Sequence, residues 1–134
     1  MKQLLLMIGM GVLFSTSARA ATNPLDGKAI FDKNCSVCHS INPPPKLAPP
    51  IVPLASRYHL QFQSKAEGVN HLAAYLKAPN KKNSIDPQAI IRFGLMPPVA
   101  LSDKELHTVA EWVWEQDNQS MGRGRGRRFG VQGQ

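Results

Sequence analysis

The sequence predicts an all-α domain of about four to five helices. Three observations carry this reading. Ser64-Lys65-Ala66-Glu67 and Ser102-Asp103-Lys104-Glu105 are capping boxes, in which a serine and the glutamate three residues on satisfy each other's backbone amides at a helix start. Each is followed by apolar residues at i, i+3, i+4 and i+7, the spacing of one helix face. No stretch alternates apolar and polar residues as a half-buried strand does, and no internal repeat is visible.

With 134 residues the chain has room for one domain and a modest core. Residues 1–20 read as a secretory signal. Lys2 gives a positive start, Leu4 to Phe14 an apolar run too short to span a bilayer comfortably, and Ala18-Arg19-Ala20 a small-x-small cleavage pattern. Cleavage is expected after Ala20 and the mature protein in the periplasm. No cysteine directly follows the apolar run, which argues against a lipid anchor. The net charge of +7 misleads about the domain. Lys2 and Arg19 belong to the signal, and Arg123, Arg125, Arg127 and Arg128 to the C-terminal tail. Residues 21–120 hold ten Lys and Arg against nine Asp and Glu, so the folded part carries +1 and no basic face for nucleic acid.

Asn23-Pro24-Leu25-Asp26 is a helix start, with Asn23 as cap, Pro24 at the first helical position and Asp26 complementing the dipole. This helix is expected to reach Asn34. Gly27 and Phe31 share a face, and the glycine allows a close helix crossing. Cys35-Ser36-Val37-Cys38-His39 follows. A C-x-x-C-H run is the attachment signature of a c-type haem. Two thiols three positions apart can add to the vinyl groups on one porphyrin edge, and the adjacent imidazole can then reach the iron. A dithiol redox motif would sit in a βαβ context that is missing here. A four-ligand zinc site lacks a second cysteine pair, with only His59, His71 and His107 left to contribute. A plain disulfide is the remaining alternative.

Ser40 to Pro53 carries six prolines and reads as an extended loop crossing one haem face. An iron-binding histidine needs an acceptor on its second nitrogen. The carbonyl of Pro49 or of Pro50 lies at a suitable remove from His39. Ile51 to Leu60 reads as a short helix with Leu54 and Tyr58 on one side. The helix opened by Ser64 carries Val69, Leu72, Ala73 and Leu76 and ends at Pro79. After a polar turn at 81–84, Asp86-Pro87 starts a short helix that Gly94 closes.

Met96 lies between that glycine and the pair Pro97-Pro98, on a stiff irregular loop. A thioether is a soft neutral ligand suited to haem iron, so Met96 is expected as the sixth ligand. Met121 borders the tail, and His59, His71 and His107 are expected as surface or ordinary helical residues. The helix opened by Ser102 is expected to end near Asp117, with Leu106, Val109, Ala110 and Val113 inward. Trp112 is placed to pack on Gly27 and Phe31, and Trp114 on the opposite, partly exposed side. Residues 121–134 have the composition of a flexible Arg/Gly tail, either solvated or docking on an acidic redox partner or anionic lipid surface.

Gly27-x-x-x-Phe31-x-x-x-Cys35-x-x-Cys38-His39, then Phe93-Gly94-Leu95-Met96-Pro97, then Leu106-x-x-Val109-x-x-Trp112 resemble the opening, the distal segment and the closing helix of class I c-type cytochromes. The resemblance spans roughly Leu25 to Glu115. It implies a small cytochrome c fold around one haem c attached through Cys35 and Cys38, with His39 and Met96 as metal ligands. It implies one-electron transfer between redox proteins, as a free carrier or as a subunit of a respiratory dehydrogenase or oxidase. The proline-rich loop departs from the family's commonest pattern, and the tail has no counterpart in it. With both axial positions filled, no catalysis, small-molecule substrate or nucleic-acid partner is expected. The alternatives are a haem-based ligand binder or sensor with a displaceable Met96, and a haem-free dithiol or metal-binding protein.

Overall fold

The first helix starts at a single carboxylate. Asp26 accepts from the Lys28 and Ala29 amides, two of the donors a helix start leaves unpaired. The computed structural model describes residues 24–124, with side-chain surroundings through Asp117. It has five helices: α1 Gly27–Asn34, α2 Ile51–Gln61, α3 Lys65–Lys77, α4 Pro87–Phe93 and α5 Asp103–Gly124. No strand occurs among the described residues. The expected signal segment and residues 125–134 of the tail lie outside them. So does Asn23. The helix expected from Pro24 begins instead at Gly27, because Asp26 supplies the cap and burial of Gly27, Ile30 and Phe31 fixes the helix from there on.

Both serines cap their helices, but only the box at Ser102 closes in both directions. The Glu67 amide donates to Ser64 Oγ, and at Ser102 the exchange runs both ways, Glu105 N–H to Ser102 Oγ at 3.3 Å and Ser102 N–H to Glu105 Oε2 at 2.9 Å. The proline loop ends at Pro50 rather than Pro53. Pro53 falls in the first turn of α2, where a helical amide needs no partner, so its missing N–H costs nothing there.

α5 is the beam on which the domain is assembled. It packs against α1, α2 and α3, whereas α4 packs against no other helix among the described residues. Leu106, Val109, Ala110 and Val113 are buried as the heptad-like stripe requires. Phe31 and Trp112 rings meet at 4.7 Å between α1 and α5. A Cβ built on Gly27 would lie 2.5 Å from Trp112 Cβ and 2.7 Å from the Thr108 carbonyl oxygen, so only glycine lets the helices cross this closely.

Trp114 corrects the sequence reading. It is 8% exposed, not on an outer face. A helix gripped by three neighbours buries more than one stripe. Gly68 of α3 makes the notch, since any Cβ there would collide with the Trp114 ring. His59 stacks on the same ring at 3.8 Å and donates from Nε2 to the Trp114 carbonyl at 2.9 Å. Further along, Ser56 Oγ donates to buried Asp117 at 2.5 Å, and Gln116 Nε2 donates to the Trp112 carbonyl. The helix then runs on to Gly124 instead of stopping near Asp117, with no proline in between to break it.

His71 is half-buried against Phe62 and Tyr58, and its Nδ1 is buried without a hydrogen-bond partner. Burial lowers its pKa below the ordinary histidine value. The folded chain thus binds this proton more weakly than the unfolded chain does. The stability it contributes is present above the unfolded pKa of about 6.5 and is lost as the pH falls below it.

Two outcomes follow from this packing. Gly27→Ala is expected to cost about 1–3 kcal/mol through overpacking against an unyielding backbone oxygen, and an unchanged chemical-unfolding midpoint contradicts the crossing described. His71→Leu is expected to flatten the loss of stability between about pH 7 and pH 5, and a variant whose slope equals that of the parent protein excludes His71 as a contributor.

Candidate metal centre and cofactor cavity

The end of α1 delivers the two thiols. The Cys35 amide donates to the Phe31 carbonyl at 2.8 Å, continuing the helical pattern, and the Cys38 and His39 amides both turn back to the Cys35 carbonyl at 3.1 and 2.9 Å. This single turn holds Cys35, Cys38 and His39 on a short arc. Both thiols are free and partly buried. Burial pushes the Cys35 thiol above its ordinary pKa, and neighbouring Cys38 adds to the effect.

The proline loop is fastened to that turn. The Leu47 and Ala48 amides donate to the Cys38 carbonyl, and Lys46 Nζ to the Ser36 carbonyl. Farther along, the Ile51 amide donates to the Ser40 carbonyl. The loop therefore brings the Pro49 carbonyl to 2.7 Å from His39 Nδ1. A carbonyl only accepts, so Nδ1 carries the proton and Nε2 keeps its lone pair. Burial lowers the His39 pKa, and the Pro49 hydrogen bond offsets part of this. The imidazole is thus held neutral, in one tautomer and one plane. Of the two prolines considered, Pro49 makes the contact. Pro50 does not, because it caps α2 and its carbonyl faces the Leu54 amide at 3.4 Å inside the first turn.

Cys35, Cys38, His39, Pro49 and Met96 all line one cavity of about 520 Å³, bounded by apolar side chains such as Phe31, Leu54, Leu72 and Val109. This volume lies within the range of small-molecule and cofactor sites, about 300–1,000 Å³. Met96 is half-buried in the segment after α4. Gly94, at φ 85°, closes that helix in a conformation only glycine adopts easily. On the far side of Met96 the Val99 amide donates to the Leu76 carbonyl at the end of α3. The methionine loop is thus anchored at both ends.

His59, His71 and His107 do not line the cavity. Among the described residues no three His, Cys, Asp or Glu side chains come together as a metal-holding group, so a zinc centre has no ligand set there. Among the polar residues at the wall, Tyr58, Tyr75 and Asp86, the last 8% exposed, were not singled out from the sequence as site residues. Asp86 was legible as a helix start, but its burial depends on the fold of residues far along the chain.

The donor set suits a porphyrin. Two free thiols stand beside a tautomer-locked imidazole, a thioether shares the cavity, and the remaining wall is largely apolar. A family model described as Cytochrome c matches residues 25–117. Comparisons with curated proteins and with solved structures returned no match. The matched span covers all five helices up to the buried end of α5, and its limits fall within two residues of those expected from the motifs. Covalently bound haem c is the cofactor of such domains, and Cys35 and Cys38 have the spacing it requires. On that match, and on a helical fold that sets those cysteines in the wall of a cofactor-sized cavity, the chain belongs to the cytochrome c family, a family of haem-based electron carriers.

Proposed function

We propose that the protein is a periplasmic one-electron carrier in which His39 and Met96 would hold the iron of haem c. One observation carries the ligand assignment. His39, with Nδ1 committed to Pro49 and Nε2 free, lines the same cavity as Met96 and both attachment cysteines. The bound haem supplies a one-electron iron couple. The chain's part is to fix that group, keep water from it and tune it. Cys35 and Cys38 anchor its edge. The Pro49 contact raises the basicity of His39 and holds the ring plane. Met96 offers a neutral sulfur, which favours the lower charge of the ferrous state and raises the potential. The apolar wall works in the same direction, since a low-dielectric surround disfavours extra positive charge.

With His39 and Met96 both holding the metal, the carrier would exchange electrons with redox proteins rather than turn over a small molecule. Such contacts are small and short-lived. The near-neutral domain supports partner choice by local contacts, with the basic tail as a docking element for an acidic or membrane-bound partner. The periplasmic location rests on the signal-like residues 1–20. No helix among the described residues is long and apolar enough to cross a membrane.

Met96→His is expected to lower the reduction potential, read by optical redox titration of the haem-loaded protein. A potential unchanged by the substitution rejects Met96 as a ligand. Rapid uptake of carbon monoxide by the unsubstituted ferrous protein would count against a firmly bound sulfur.

A further inference from the structure

α4 carries the Met96 segment, yet among the described residues it packs against no other helix and buries none of its own residues. Partly buried Ile85, Met96 and Val99 pack on the core, and polar ties at its two ends fix the arm further. The Val99 amide ties its far end to α3. At its near end stands Asp86. This carboxylate is 8% exposed and lines the cofactor cavity. Both oxygens are engaged. Oδ1 accepts from the Ala89 amide at 3.1 Å and so caps α4, and Oδ2 faces Arg57 Nε at 3.2 Å. Arg57 is on α2, the helix whose N-cap, Pro50, directly follows the proline that holds His39.

We propose that the Arg57–Asp86 pair is a positioning strut. It fixes the Met96 arm against α2 and joins the support of the distal ligand to the support of the proximal one. This rests on the reading of Met96 as a ligand. The path is continuous: the Pro49 carbonyl on His39, then Pro50 and α2, then Arg57, Asp86, α4, Gly94 and Met96. Arg57 is half-exposed, so its loss opens no hole in the core. Asp86 would keep its cap on Ala89 without Arg57 but lose its tie to α2. The arm would then depart more readily, and an external ligand would compete better for the metal.

The test uses the haem-loaded ferric protein, with imidazole as the competing ligand. Arg57→Gln and Asp86→Asn are expected to bind imidazole about two- to fivefold more tightly than the parent, the range for losing a partly screened ion pair. Their sulfur–iron charge-transfer band is expected to bleach at lower temperature. Arg57→Lys, which keeps the charge, is expected to recover part of the parent affinity. Asp86→Asn retains an oxygen for the Ala89 cap, so it reads the strut if Arg57→Gln folds poorly. Parent-like imidazole affinity in both neutralised variants overturns the proposal, as does a lower melting temperature with unchanged affinity. A parent protein without any sulfur–iron band fails at the earlier step, the assignment of Met96 itself.

Discussion

The site depends on one hydrogen bond, from His39 Nδ1 to the carbonyl of Pro49 at 2.7 Å. It decides which imidazole nitrogen keeps a lone pair, and hence which one a metal can meet. It also explains a loop that composition alone makes look like a linker. Four amides of residues 47–52 and the Lys46 ammonium donate to carbonyls of residues 36–41, so the prolines are a stiff strap folded back on the cysteine turn. Proline suits this strap because it restricts the backbone and leaves a carbonyl with no competing N–H of its own.

Around that contact the helices are placed by α5. Two glycines set how closely the others approach. Gly27 admits α1 to Trp112, and Gly68 admits α3 to the Trp114 ring. The two tryptophans grip opposite partners from one helix, which leaves Val109 and Val113 facing the cofactor cavity. The distal arm belongs less to this packed body. It is held by hydrogen bonds and an ion pair at its ends, and by partly buried Ile85, Met96 and Val99 packed on the core.

Local chemistry was legible in the sequence, and multi-partner burial was not. The capping boxes at Ser64 and Ser102, the stop at Gly94 and the Trp112–Phe31–Gly27 crossing needed only short-range signals. Met96 stood out because glycine and proline bracket it. Trp114 was misplaced because a helical wheel assumes one buried face, and Gly68 was the overlooked hint, a costly residue inside a helix. Asn23-Pro24 and Asp26-Gly27 are competing start signals, and packing of α1 on α5 settled the choice. The choice between Pro49 and Pro50 turns on a carbonyl direction, which spacing does not encode.

The account stands on a macrocycle joined to Cys35 and Cys38. The most direct measurement is the intact mass of the mature protein after denaturation and acid extraction, which strips non-covalent haem. The account predicts the mass of the chain plus one haem, with the added mass retained on the peptide spanning residues 35–39. A bare polypeptide mass, from cells competent to attach haem, would contradict it.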